Sequence, residues 1–306
     1  MASPSDPRAG AASASAATPA IPVLAVVGVG LIGGSFAAAL RAAGQVGTVL
    51  GVGRQPQPLQ VATELGLIDE AVSLDEAGAR ADFILLATPV AALAPALAAL
   101  RPVLREQAVI TDAGSTKQQV VDAALAQLGE RAGQFVPGHP IAGSHASGPA
   151  AADAALYRGR NVILTPLPHN DAARIERVAQ AWRACGARVR QMDAAAHDAV
   201  FASVSHLPHW LAAAYMAQVA LSDDADLRLQ LAGSGFRDFT RIAGGSPEMW
   251  RDIFISNKPA MLRELAALRQ VMDRAEQALL ADDGAALQQW LALAAQARSG
   301  WRPEDN

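Results

Sequence analysis

Cysteine is almost absent from this sequence. One residue, Cys185, occurs among 306, which excludes an internal disulfide and any disulfide-stapled fold. In the segment AWRACGARV it sits among apolar neighbours with no base beside it, as a small hydrophobe does and a nucleophile does not. An excess of positive charge is also missing: 25 Lys plus Arg stand against 29 Asp plus Glu, a net charge of −4. No basic field exists to hold a phosphate backbone, so no nucleic-acid partner is expected. No apolar run approaches the ~20 residues that cross a bilayer. The N-terminus lacks the basic-then-apolar order of a secretory signal. No membrane partner is therefore expected, and a cytoplasmic location is. Residues 1–20 are nearly all Ala, Ser, Pro, Gly and Thr, too poor in apolar surface to offset the entropy of ordering, so this tail is expected to be disordered and outside the fold.

What is present is an alternation. From Ile21 onward, β-rich runs such as VLAVVGV, TVLGVG, DFILLATPV, AVITDAG, GQFVPG and NVILTP alternate with Ala/Leu-rich helical stretches. That order makes βαβ units, and near-continuous apolar strands suit a parallel sheet covered on both faces. Gly44 and Gly129 follow helical stretches as C-caps do. Strand signals stop after about Met192. Beyond it, Val200, Val204, Leu207 and Leu211, and again Leu262, Leu265, Leu268 and Met272, recur at near-helical spacing, giving helices with an apolar face to bury. The expected fold is α/β: a Rossmann-like doubly wound domain over residues 21–191, then an all-helical domain over 192–300. The helical faces are open to two uses, an internal bundle or a dimer interface.

The segment VVGVGLIGGSFAAAL carries GxGxxG as Gly28, Gly30 and Gly33, after a strand and before a helix. In that context the first glycine permits a tight turn, the second lets the backbone approach a pyrophosphate, and the third brings helix and sheet together. Leu31 and Ile32 within this loop, and Thr88 and Pro89 near the end of DFILLATPV, complete the expected dinucleotide contacts. The second strand ends in Gly53, where an NAD site usually has Asp or Glu, and Arg54 and Gln55 follow. An acid there would repel a 2′-phosphate and Arg54 would attract it, so NADP is expected to be preferred and NAD usable; the other reading of Arg54 is a solvated loop residue.

Two further patterns carry chemistry. In ITDAGSTKQQVV, a strand ending in Asp112, Ala113, Gly114 and Ser115 puts a hydroxyl at the carboxyl end of the sheet, where such folds bind ligands. In FVPGHPIAGSHASGP, His139 is expected in a loop framed by Gly138 and Pro140, either as a solvated turn residue or as a proton carrier near neutral pH. The second pattern, GSGFRDFTRIAGGSPEMWRDIFISN, crowds Arg237, Arg241 and Arg251 with Phe236, Phe239, Trp250 and Phe254. That mixture suits a ring bearing a carboxylate, or equally a helix with a wet and an apolar face. SHLPHWL places His206 and His209 three apart, but no third ligand accompanies them and no metal is expected.

Taken together, GVGLIGGS, DAGSTK, PGHPIAGS, VSHLPH and GFRDFTRIAGGSPEMWRDIFISN resemble, in order and rough spacing, the prephenate and arogenate dehydrogenases, from about Ile21 to the late 200s. The resemblance implies an NAD(P)-dependent enzyme of tyrosine biosynthesis. It would convert prephenate to 4-hydroxyphenylpyruvate, arogenate to tyrosine, or both, with hydride leaving the carbinol carbon, carbon dioxide departing and the ring becoming aromatic. It implies that His139 is the catalytic histidine on the ring hydroxyl, that Ser115 orients hydroxyl and nicotinamide, that Arg241 grips a substrate carboxylate, and that His209 lines the pocket. Arg237, Asp238 and Trp250 are implied only as pocket or supporting residues. A homodimer through the helical domain is expected, as is a His139 pKa near the ordinary ~6.5.

Two rival functions are a β-hydroxy acid dehydrogenase of related fold, whose lysine proton carrier would have to be Lys258, and a non-catalytic dinucleotide sensor, which would be expected to lack His139 or Arg241. Too few residues flank the two domains for a mutase or regulatory module to be expected.

Overall fold

A computed structural model describes residues 19–143 and 146–302, so residues 1–18 of the expected disordered tail lie outside the described residues. Six parallel strands form the main sheet: β1 (Ile21–Val27), β2 (Val46–Val52), β3 (Glu70–Ala71), β4 (Phe83–Leu86), β5 (Val109–Asp112) and β6 (Phe135–Val136), in the order β3-β2-β1-β4-β5-β6. This is the doubly wound order, with its topological switch between β1 and β4. The helices between them are α1 (Leu31–Ala42), α2 (Pro56–Glu64), α3 (Leu74–Arg80), α4 (Leu93–Leu100) and α5 (Gln118–Leu128), and α6 (Ala172–Ala184) follows later.

Alternation along the strands divides the core in two. Leu24, Val26, Phe83, Leu85 and Val109 pack with Phe36 and Leu40 of α1 and Trp182 of α6. Ala25, Val27, Ile84, Leu86 and Ile110 face the other way, against Leu97 of α4 and Leu128 of α5. Both faces of the sheet are thus covered, which is why its strands read as continuous apolar runs.

A second, smaller sheet comes next in the chain: β7 (Gly138–Pro140), β8 (Asn161–Leu164) and β9 (Arg188–Gln191), with β7 antiparallel and β9 parallel to β8. His139 therefore lies in a strand and not in a loop, paired opposite Ile163. The Gly/Pro frame concealed this because a proline has no N–H to give a ladder; β7 is an edge strand, where that lack is tolerated. Strands β3 and β9 are likewise short edges without an apolar run, which left no signal for them in the sequence.

From Ala194 onward the described chain is helical: α7 (Ala194–Phe201), α8 (Leu207–Ala220), α9 (Ala225–Gln230), α10 (Ser234–Thr240), α11 (Pro247–Ser256), α12 (Lys258–Leu280) and α13 (Gly284–Gly300). A π-helical turn over Ala202–His206 joins α7 to α8. Its extra residue advances the side-chain phase by ~100°, so the stripe beginning at Val200 and Val204 does not continue into Leu207. The two valines are exposed and Leu207 is buried. On α12, Leu262 and Met272 are exposed as well. Leu265 of the same α12 stripe packs on the cluster of Ala202, Ala260 and Met261, so that apolar face is only partly used within one chain.

Candidate active site

All the sequence motifs of the first region converge on the carboxyl edge of the sheet. After β1, Gly28 takes φ +97°, and a side chain there would press on the backbone of Ala87 after β4; a Cβ on Gly33 would lie 2.3 Å from the Gly28 carbonyl. A Cβ on Gly30, in contrast, would meet nothing within 4 Å. Gly30 is also the N-cap of α1 and makes no side-chain cap, so the first N–H groups of the helix face an open cradle. The hydroxyl of Thr88 is buried without a partner beside it. An open backbone cradle at a helix N-terminus with an orphaned donor at its rim fits a dinucleotide pyrophosphate. Leu31 and Ile32 form the first turn of α1, while Pro89 is exposed at the edge. Arg54 is exposed just beyond β2.

The ends of β5 and β7 are bolted together by a residue that sequence reasoning passed over. Lys117 is fully buried; its Nζ pairs with the Asp112 carboxylate and donates to the Gly138 carbonyl at 2.7 Å. Asp112 also accepts the N–H of Gly114 at 2.8 Å and of Gly138 at 3.0 Å. Burial pulls the Lys117 pKa down, and the charge and hydrogen bond of Asp112 oppose it. The ion pair fixes the backbone on both sides of the cleft, with half-buried Ser115 between Asp112 and Lys117 and His139 directly after Gly138.

Helix α7 completes this centre. Asp193 caps it by accepting the N–H groups of Ala195 and Ala196, which sets the helical phase so that Ala194, His197, Asp198 and Phe201 form the buried face. His197 Nε2 lies 2.9 Å from His139 Nδ1, and His197 Nδ1 lies 2.8 Å from Asp198 Oδ1. Asp198 accepts the backbone N–H of Lys117 at 2.7 Å and of Gln118 at 2.9 Å. Asn257 donates to the Asp198 carbonyl at 2.8 Å, and its amide nitrogen is 3.1 Å from His206 Nδ1. Thr116 and Ser256, 2.9 Å apart, add a hydroxyl contact between the two regions.

Burial disfavours positive charge throughout this cluster. It holds His139 well below the ordinary histidine range, reinforced by the charges of His197, Lys117 and His206. The ordinary value of ~6.5 does not hold here, because the half-buried ring packs against Phe201 and lies beside His197, Lys117 and His206, which can carry positive charge. Burial also lowers His197, with Asp198 opposing, and takes His206 to about 4. Asp198 goes the other way for an acid: burial works against its charge, yet the His197 contact and the Gln118 and Lys117 N–H groups hold it below the usual carboxylate range.

Beyond this cluster, a cavity of about 340 Å³ lies in the helical region, lined by His209, Ile242, Gly245, Trp250, Arg251 and Phe254 among others. His209 and Trp250 stack with ring centroids 3.5 Å apart, and Trp250 is 6.3 Å from the His206 ring. Arg241 opens the short turn Arg241–Gly244 whose next two residues line the cavity, but its own side chain is exposed and not part of the lining. Arg237 is exposed on α10, 3.6 Å from the Asp238 carboxylate, and is not brought to the centre within one chain. Lys258 is exposed at the start of α12. Cys185 is buried and its thiol is pushed up to about 12 by that burial, consistent with packing and not reactivity.

Against known families, residues 36–191 match the nucleotide-binding domain of prephenate dehydrogenase, and residues 193–293 match the prephenate dehydrogenase dimerization domain. The chain belongs to the prephenate dehydrogenase family. Within it, the chain is 39% identical to the prephenate dehydrogenase of Bacillus subtilis over 77% of its own length and spans 64% of that protein. Its fold superposes on the Aquifex aeolicus prephenate dehydrogenase solved with hydroxyphenyl propionate and NAD+ with a TM-score of 0.85 and 35% identity, covering 91% of this chain and 97% of that one. The Synechocystis arogenate dehydrogenase aligns with a TM-score of 0.78 and 32% identity over 90% and 99% of the two chains. Among the described residues no helix is long and apolar enough to cross a membrane.

Proposed function

We propose that this dehydrogenase carries out the NAD(P)-dependent oxidative decarboxylation of prephenate, of arogenate, or of both, in the making of tyrosine. One observation carries the reading: an uncharged histidine, His139, is fixed by the Asp112–Lys117 pair at the sheet edge that also bears the open Gly30 cradle. A nicotinamide dinucleotide bound along Gly28, Gly30, Leu31, Ile32, Gly33, Thr88 and Pro89 would supply the hydride acceptor. His139 then takes the hydroxyl proton as hydride leaves, Ser115 orients that hydroxyl, and the proton returns to oxygen when the ring carboxylate departs and its electron pair enters the ring. Positioning is the chief requirement, since aromatisation drives the reaction.

In this reading Arg241 clamps a substrate carboxylate, reaching the cavity of His209 and Trp250 from its rim, and Arg237 supports it. Residues 21–191 act as the cofactor domain and 192–300 as the substrate and dimerisation domain. The exposed apolar residues Val204, Leu262 and Met272 support a homodimer through the helices. NADP is the preferred cofactor and NAD is usable, and the enzyme works in the cytoplasm. The test is steady-state turnover with prephenate and arogenate, each with NAD+ and NADP+. Production of reduced dinucleotide and carbon dioxide is expected with at least one substrate, and the absence of both products in all four combinations would refute the assignment.

A further inference from the structure

The reaction requires a lone pair on one nitrogen of His139, and the surroundings decide which. We infer that His197 and Asp198 are a positioning pair that fixes the tautomer of His139, with the proton on Nδ1 and the lone pair on Nε2. This rests on the proposed role of His139 as the proton acceptor.

The proton positions are set outward from the carboxylate. Asp198 has two main-chain donors on its oxygens, Lys117 N–H at 2.7 Å and Gln118 N–H at 2.9 Å, and it is buried. A carboxyl group so held is ionised and can only accept. His197 Nδ1, 2.8 Å from the Asp198 Oδ1 atom, must then carry the proton, since two facing lone pairs at that distance repel. Neutral His197 is left with its lone pair on Nε2. His139 Nδ1 stands 2.9 Å from it and has to be the donor. The nitrogen that His197 does not touch, Nε2 of His139, is therefore the acceptor. Phe201 holds both rings in this geometry, 4.9 Å from His139 and 4.4 Å from His197.

The pair itself transfers no proton. When His139 Nε2 gains one, the Nδ1–H bond to His197 persists, and the negative charge of Asp198 stabilises the imidazolium through His197. The same logic governs a histidine oriented by a buried aspartate elsewhere in catalysis, with a second imidazole inserted between them here. The charged or titratable groups facing this relay are Lys117 from the β5–α5 junction, Asp112 from β5 and His206 from the π-helical turn. Lys117 is engaged by Asp112 and Gly138, and His206 by Asn257, so none of them competes for the His139 nitrogen. Because Asp198 belongs to α7 and its donors to the sheet region, docking of the helical region is what sets the polarity of His139.

The test is the tautomeric state of His139 in the full chain, read from nitrogen-15 shifts of histidine-labelled protein at neutral pH, with the signal assigned by its loss in His139→Asn. Protonated Nδ1 and bare Nε2 are expected in the wild type; the reverse would overturn the inference. His197→Phe removes the acceptor while keeping a ring. It should move the His139 proton to Nε2 and lower kcat by roughly 10²-fold or more with cofactor affinity unchanged, and His197→Gln, which keeps an acceptor oxygen, should restore part of kcat. Full turnover in His197→Phe together with lost turnover in His139→Asn would discard the pair while leaving His139 as the base. Should His197→Phe fail to fold, the wild-type spectrum and His197→Gln still decide.

Discussion

Lys117 and Asp112 form an ion pair from which water is wholly excluded, both side chains being 0% exposed. The pair spans the gap between β5 and β7, since Lys117 also holds the Gly138 carbonyl and Asp112 the Gly138 N–H. Its contribution is to place His139, and its cost is that neither charge can be left alone. Lys117→Met strands a buried carboxylate and is expected to lower stability by about 3–5 kcal/mol. Lys117→Met combined with Asp112→Asn should recover part of that loss. Urea unfolding of both variants checks this, and equal stability of Lys117→Met and wild type would show that the pair is not coupled to folding.

At His139 the expected consequences are kinetic. His139→Asn should retain dinucleotide binding and lose roughly 10²- to 10⁴-fold in kcat. The acid limb of the wild-type profile reports its protonation: a base works only when neutral, so activity falls as pH drops through its pKa. Burial beside His197, Lys117 and His206 depresses that pKa, which moves the limb below the ordinary ~6.5. A limb at or above that value in kcat/KM would contradict the buried setting of the ring.

His206 makes a stability prediction of the same sign. Its folded-state pKa is about 4 against 6.5 for an open histidine, because burial penalises the cation. Between those values the unfolded chain binds a proton that the folded chain refuses, so stability is full above 6.5 and declines as pH falls toward 4, by roughly 2–3 kcal/mol at most. His139 and His197 add to the slope in the same direction. His206→Gln should therefore show a shallower decline in urea midpoint between pH 7 and pH 5 than wild type; parallel curves would remove His206 from the linkage.

The sheet was legible because its strands are buried on both faces, as the split of Leu24 and Val26 from Ala25 and Val27 illustrates. Edges were not: β9 reads RVRQ and is mostly exposed, held by pairing with β8 and by Val189 alone packing on the core. The same limit hid β7, so His139 was visible as chemistry before it was visible as a strand. His197 and Asp198 escaped notice in an alanine-rich helix because a polar pair normally marks a wet face. The signal was there in Asp193, whose capping fixes the phase that turns both residues inward with Ala194 and Phe201. Long-range partners such as Asn257 with Asp198, 59 residues apart, leave no local pattern at all.

Arg241 stands at the rim of the cavity of His209 and Trp250 and is exposed in the single chain. On the proposed reading its guanidinium would hold a substrate carboxylate from the edge of that cavity. Arg241→Ala is expected to raise KM by about 10- to 100-fold, the equivalent of the ~1.5–3 kcal/mol of a charge-assisted contact, with little change in cofactor affinity. Arg251, which does line the cavity, is the control. An unchanged KM in Arg241→Ala beside a raised one in Arg251→Ala would transfer the clamp to Arg251.

Cofactor choice turns on the residues at the carboxyl end of β2. An acid at its end bonds both ribose hydroxyls of NAD and repels a 2′-phosphate; this strand instead ends at Val52, with exposed Gly53 and Arg54 after it. A glycine places no charge and no bulk at this position, and on the proposed reading the Arg54 guanidinium would offer a 2′-phosphate donors and positive charge. No charge or bulk at Gly53 stands against a bare ribose, so NAD+ is expected to be usable even without the usual acidic partner. The expected outcome is a higher kcat/KM for NADP+ than for NAD+ in the wild type. Arg54→Ala should lower the NADP+ value by about 10-fold, in line with one charge-assisted contact at an exposed position, and leave the NAD+ value nearly unchanged. Gly53→Asp should reverse the preference, with Leu59 giving way slightly, since its Cδ2 lies 3.3 Å from where the new Cβ would sit. A wild-type preference for NAD+, or NADP+ efficiency that survives Arg54→Ala intact, would show that Arg54 is a solvated loop residue and that the dinucleotide is selected elsewhere.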